Sequence, residues 1–236
     1  MNNFFSWERL TNNFPILIAR LPITFEIVAV SFSLGFVLAL LIATARIKKI
    51  PILNQILTVF ISFERGTPLL VQMLVVYYAL PIVLYSVFGI DSRRWEKVIF
   101  VDLALILNQG VFLGEIFRGA ILSIPKGQRE AALASGMTDS SAFIKIVLPQ
   151  AFRVALPSTG LTLILLFQET SLVFMIGVID IIGRASSLGA TTGHSLESYI
   201  IIAAVFVSIN FILTSIRSKI EKSLSFSNKK NTKETA

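Results

Sequence analysis

The chain has 236 residues, 54% hydrophobic and only 15% charged, with no cysteine, one histidine and a formal net charge of +7. Soluble domains carry about a quarter charged residues, so a mean hydropathy of +0.77 selects one integral membrane domain. The absence of cysteine excludes disulfides and thiolate metal sites, and a lone His194 excludes a histidine-cluster metal centre. Basic residues that flank apolar runs, instead of forming one face, exclude nucleic acid as the natural partner.

Read in chain order, MNNFFSWERL has no basic n-region and no cleavage site, so residues 1–20 are expected to be a segment on the outer side of the membrane and not a signal peptide. A membrane-crossing helix needs about 20 mostly apolar residues. Five runs qualify: Leu21 to Ala45, Thr67 to Phe88, Val98 to Phe117, Pro157 to Ile179 and Tyr199 to Ile216. A shorter helical stretch, Ile52 to Phe63, precedes the second. Pro81 falls near the end of the second span, and Pro157 is taken to open the fourth. The expected fold class is therefore all-α, a polytopic membrane protein of about five transmembrane helices, its permease domain filling 21–222. The polar stretch 223–236, SFSNKKNTKETA being most of it, is expected to be a disordered tail.

Lys and Arg accumulate on the cytoplasmic side of membrane proteins. The connections after spans one and three and the C-terminal tail hold fourteen of the 21 basic residues; the opposite side holds six, with Arg65 set apart. This bias places the N-terminus outside and the C-terminus inside.

Between spans three and four lies a long polar insert, residues 123–149. Ser123-Ile124-Pro125-Lys126-Gly127 breaks the third span, and QREAALA favours helix through its alanines. Gly136 is placed to end that helix with a left-handed backbone. Thr138 can cap a second helix, with Asp139 in its first turn. Phe143, Ile144 and Val147 follow, and Pro149 is taken to end it. Loops longer than about 12–15 residues are uncommon without a purpose.

These residues carry a resemblance. Glu130-Ala131-Ala132, then Gly136, then Ile146-Val147-Leu148-Pro149 resembles, spacing included, the EAA loop of ATP-binding-cassette (ABC) importer permeases. ERGTPLLVQMLVVYYALP, EIFRGAILSIPKGQ, LPQAFRVALP and the Thr170-Ser171-Leu172 run are similar to the branch that imports polar amino acids. The resemblance implies a type I importer permease in a bacterial plasma membrane, moving a polar amino acid or a related zwitterion such as cystine. It implies three partners besides membrane lipid: a cytoplasmic ATPase dimer, an extracytoplasmic solute-binding protein and a second permease copy, identical or not. It also implies that Glu130, Ala131, Ala132, Gly136, Ile146, Leu148 and Pro149 couple to the ATPase. Similar permeases place a Lys and an acidic or polar residue before Thr-Ser-Leu; this chain has Gln168-Glu169 there.

No phosphate-cradling G-x-x-x-x-G-K-[ST] run occurs in the chain. It is therefore not expected to be an enzyme or to hold a cofactor; ATP and Mg would sit on the separate ATPase. Ionisable groups at membrane depth are costly and normally face a cavity or a partner. Glu169, counted from Pro157, falls about 18 Å into its span, near the bilayer middle. With Gln168, Thr170, Ser171, Asn108, Gln109 and Thr24 it is read as a polar route for a zwitterion. Hydrogen bonding between helices is the competing reading for the uncharged members. Glu115 and Arg118, three apart, can pair on one helix face, and Glu64 and Arg65 precede the Gly66 and Pro68 break; these four are read as gate residues, against ordinary interfacial ends with snorkelling arginine. The alternative function is an ion-coupled carrier or channel acting without an ATPase, which would leave the patterned insert without a use. A membrane-embedded enzyme would need paired catalytic groups that the sequence does not offer.

Overall fold

The structure, a computed structural model, describes residues 4–233, with side chains as far as Ser223. Among these residues it contains helices and turns and no strand. In order they are α1 (Trp7–Ile18), α2 (Leu21–Ile47), α3 (Leu53–Gly66), α4 (Leu69–Phe88), α5 (Lys97–Leu122), α6 (Lys126–Ala134), α7 (Asp139–Ala142), a π-helical turn (Phe143–Val147), α8 (Leu148–Glu169), a 3₁₀ stretch (Thr170–Ile176), α9 (Ile181–Thr192) and α10 (Leu196–Lys233). Five stretches are long and apolar enough to cross a membrane, as expected: Trp7–Ile47, Leu69–Phe88, Lys97–Leu122, Asp139–Ile176 and Leu196–Ser223.

The most extensive helix contact joins α2 to α5. Ser31 meets Asp102, Gly35 meets Ile106 and Gln109, and Ile42 meets Gly114. Both sets of numbers rise together, so the helices run parallel and α3 and α4 carry the chain back between them. Small residues at four-residue spacing let the backbones approach: Ser31, Gly35, Ala39 and Ala43 on α2, Gly110 and Gly114 on α5. A β-carbon at Gly35 would lie 2.7 Å from Cβ of Gln109. In a membrane, apolar burial does not drive helices together, so such packing is what holds them.

α8 closes against this pair. At the end near the α6–α7 loop, Ala151 and Ala155 join Ala39, Ala43, Leu113, Phe117 and Ala120 in a tight layer. At the far end Leu166 and Phe167 pack with Ile27, Val28, Val101, Ala104, Leu105 and Met73. α1 and α9 form a cap beside α10. Glu197, fully buried at the start of α10, accepts from the Ser6 backbone N–H at 2.8 Å and pairs with Arg9 at 2.8 Å.

Three expectations change. Pro157 does not open the fourth span, and Pro149 does not end the loop's second helix. Pro149 lies in the first turn of α8, where its missing N–H is an orphan in any case. The helix then passes through Pro157, as membrane helices can when neighbours cover the freed carbonyl. Most of the small-polar stretch RASSLGATTGHSLE forms α9, whose N-cap Asp180 accepts from the Gly183 N–H at 2.8 Å. The backbone of α10 continues to Lys233, into the stretch expected to be a disordered tail. Residues 234–236 of that tail lie outside the described residues.

Gly35→Ile should separate α2 from α5, because the Gln109 Cβ it would strike belongs to a helix that cannot yield. The expected loss is about 1–3 kcal/mol, read as a lower thermal midpoint of the detergent-solubilised protein. Gly119→Ala, where nothing lies within 4 Å, should not lower that midpoint; equal loss in both variants would refute the seam.

Candidate functional site: a helical loop, a charged break and buried polar groups

The loop between α5 and α8 is a preformed helix pair. α6 ends in a Schellman turn: Gly136 N–H donates to Leu133 O at 2.9 Å and Met137 N–H to Ala132 O at 3.1 Å. Gly136 has φ +86 with open space around its α-carbon, so the demand there is conformational and not steric. Thr138 Oγ1 accepts from Ser141 N–H and caps α7, as expected. Arg129 bridges the turn to Asp139, its Nε donating at 2.7 Å. Ala132 is buried against the loop's own helices, Ile146 is half-buried, and Glu130, Ala131, Leu148 and Pro149 face outward. Leu133 and Ile144, which the motif does not include, are also exposed and apolar on this projection. The π-helical turn at Phe143–Val147 joins α7 directly to α8, with no loop residues between them.

Near the loop end of α5, Arg118 embraces Glu115, with Nη2 at 2.7 Å and Nε at 3.1 Å. The expected pair is present, and it has company. Arg46 Nε stands 3.7 Å from Glu115 while its Nη1 donates to Asn54 Oδ1 at 2.9 Å and Thr58 Oγ1 at 2.6 Å. Arg65 lines one cavity with Phe112, Glu115 and Ile116. Three arginines from three helices thus surround one carboxylate. Arg46 was legible in the sequence only as an orientation charge. Glu64 does not join them. It is 4% exposed, and its Oε2 has no hydrogen-bond partner among the described residues.

The expected polar route separates into distinct places. Thr24 is fully buried and donates to Asp180 Oδ2 at 3.4 Å, anchoring the cap of α9 to α2. Burial pushes the Asp180 carboxyl above its usual range, against hydrogen bonds from Gly183 and Thr24 that lower it. Thr170 Oγ1 donates to Phe167 O at 2.7 Å. Asn108 Nδ2 donates to Gln72 Oε1 at 2.9 Å, and Gln109 Nε2 reaches Asn108 Oδ1 at 3.5 Å. For these four residues the geometry is that of helix-to-helix and local hydrogen bonding.

Glu169, Gln168 and Ser171 remain together at the end of α8, with Gln168 exposed and the other two half-buried. Glu169 Oε2 is buried without a partner among the described residues. Because α8 starts at Leu148, Glu169 stands about 32 Å from its loop end, farther along the helix than a count from Pro157 gives. A further intramembrane carboxylate, Asp102, accepts from Ser31 Oγ at 3.2 Å. The sequence reading missed this pair, although an acid inside an apolar span is itself a signal. Among the described residues no group of three His, Asp or Glu could hold a metal ion.

Residues 32–226 match the family described as binding-protein-dependent transport system inner membrane component. The chain is 40% identical to the L-cystine transport system permease protein TcyL of Bacillus subtilis (strain 168), covering 89% of this chain and 87% of that one. It is 32% identical to the glutamine transport system permease protein GlnP of Escherichia coli (strain K12), covering 92% and 97%. A crystal structure of an amino acid ABC transporter with histidines superposes with a TM-score of 0.82 at 28% identity over 93% of this chain and 99% of that one. An inward-facing structure of the MetNI methionine ABC transporter shares the fold, with a TM-score of 0.70 at 17% identity over 93% and 99%.

Proposed function

The chain belongs to the binding-protein-dependent transport system inner membrane component family, and we propose that it is the membrane subunit of an ABC importer that carries a polar amino acid, or a zwitterion such as cystine, into the cytoplasm. It is an all-α, multi-pass plasma-membrane protein. The observation that carries the reading is the preformed α6–α7 pair, turned at Gly136 and continuous with α8. Such a projection suits a groove on a moving cytoplasmic subunit. The chain has no P-loop of its own, so a separate ATPase dimer supplies ATP, Mg and hydrolysis. A solute-binding protein delivers substrate at the far side, and a second permease copy completes the path. Leu133, Ile144 and Leu148 would give the loop its apolar contact, and Glu130 its polar one. The likeness to the cystine and glutamine permeases supports the substrate class. A carrier working alone would leave this loop without a role.

Gly136→Val should weaken ATPase co-purification about tenfold or more, because a left-handed backbone costs a β-branched residue at least ~1–2 kcal/mol. Gly136→Asn, which tolerates that backbone, should stay near wild type. Normal ATPase binding and normal binding-protein-stimulated hydrolysis in the Val variant would overturn the docking role.

A reporter fused after Ala236 should be cytoplasmic and one inserted near Asp91 extracytoplasmic, following the basic-residue bias. The reverse labelling would put the loop on the wrong side for any ATPase.

Glu169→Gln keeps size and removes charge from the unpartnered carboxylate. Uptake in proteoliposomes with saturating binding protein should fall, or its preference shift away from ligands with an extra positive charge, while hydrolysis persists. Wild-type rate and specificity would leave Glu169 a hydrated bystander.

A further inference from the structure

The break between α3 and α4 is made by Pro68, and the groups it orphans are satisfied from one side chain. Pro68 has no N–H, so the Glu64 carbonyl loses the donor that a continuous helix would supply four residues on. Gln72 Nε2 donates to that carbonyl at 2.6 Å. The same nitrogen lies 3.0 Å from Thr67 O and 3.2 Å from Thr67 Oγ1, and Thr67 Oγ1 in turn donates to Phe63 O at 2.8 Å. Gln72 therefore closes the end of α3 from the first turn of α4. Its other end is also engaged: Oε1 accepts from Asn108 Nδ2 on α5 at 2.9 Å. Gln72 is 2% exposed and Asn108 4%, so water does not compete for either group. Nothing in the coupling or substrate reading uses Gln72.

The position of this link gives it a consequence. α5 runs unbroken from Asn108 to Leu122, about 21 Å, and reaches α6 after three residues. On the other arm the last turn of α3 carries Arg65, which shares a cavity with Glu115 and Ile116 of α5. Gln72 and Asn108 are the polar bridge between the loop-driven helix and the break beside that charged cluster. At the border of the network, Gln109 Oε1 and Glu64 Oε2 are buried without partners among the described residues.

We infer that Gln72 is a positioning residue of the transport cycle: through Asn108 it pins the α3–α4 break to α5 at one point, so that movement of the α6–α7 loop turns α5 about that point and shifts Arg65 relative to Glu115, seven residues further along α5. This inference rests on the importer reading above. A residue that merely held the fold would lower uptake and hydrolysis together with the amount of assembled protein. A transmitting residue changes their ratio.

The chain has no cysteine, so a pair introduced into it meets no other thiol of this chain, and the Cys-free permease in the same assembly is the background. The experiment uses the permease assembled with its ATPase and binding protein in proteoliposomes, with Arg65→Cys and Ile116→Cys introduced together. Disulfide yield is compared before and after vanadate trapping. With Gln72 present the yield should change on trapping; with Gln72→Leu that change should disappear. In permeases without the cysteines, Gln72→Leu and Asn108→Leu should each lower uptake at least tenfold more than hydrolysis. The double variant should be no worse than Gln72→Leu, because one link is lost once. Should Gln72→Leu fail to assemble, Asn108→Leu decides, since it cuts the tie to α5 and leaves the helix end capped. A residue that only touched substrate would leave the disulfide response intact. An intact response, or an unchanged uptake-to-hydrolysis ratio in Asn108→Leu, would overturn the inference alone. No uptake by the wild-type assembly would overturn the importer reading, and this inference with it.

Discussion

The close parallel contact of α2 and α5 is the constraint on which the rest of the structure depends. In hydrocarbon no hydrophobic force brings helices together, so side chains small enough to admit another backbone must do it. Gly35 against Gln109 and Gly114 against Ile42 supply that fit. Once two parallel helices are fixed side by side, the chain must return between them, and α3 and α4 are that return. α8 then packs against the alanine layer at the loop end of the same pair. The helix that receives the loop and the helix that leads into it are held by one another.

The second organising problem is the fate of polar groups where water is absent. Prolines and helix starts leave backbone groups without an intrahelical partner. At the α3–α4 break, Gln72 and Thr67 re-satisfy the backbone. At the start of α9, Asp180 satisfies Gly183 and is held by Thr24. At the start of α10, Glu197 receives the Ser6 N–H and Arg9. Gln72, Thr67, Asp180 and Glu197 are thus engaged in keeping the bundle's irregular backbone satisfied. Glu169 Oε2, Gln109 Oε1 and Glu64 Oε2 are among the buried atoms that have no hydrogen-bond partner among the described residues.

The loop shows how a short polar segment becomes a rigid lever. A Schellman turn at Gly136, a threonine cap and the Arg129–Asp139 bridge all act within residues 129–141, so the helix pair is defined within the chain itself. The π-helical turn then leaves no slack before α8. The helix pair is continuous with α8 ahead and three residues from α5 behind, and the charged cluster around Glu115 lies on that same α5.

The sequence by itself determined what depends on neighbours along the chain. Apolar run length specified five membrane spans, and turn chemistry placed the left-handed Gly136, the Thr138 cap and the Glu115–Arg118 pair. It misplaced the start of the fourth span because Pro149 and Pro157 were read as boundaries; in a membrane bundle both are tolerated in one continuous helix. It passed over α9, whose small polar residues have little helical signal until Asp180 caps them and α1 and α10 cover them. The polar route was least legible. Thr24, Asn108 and Gln109 looked like candidates for a passage, yet Asp180 lies 156 residues from Thr24 and Gln72 lies 36 from Asn108. Composition shows that such a group is at depth; only the tertiary structure decides whether another helix brings a partner within hydrogen-bond reach, because that distance is set by packing and not by sequence spacing.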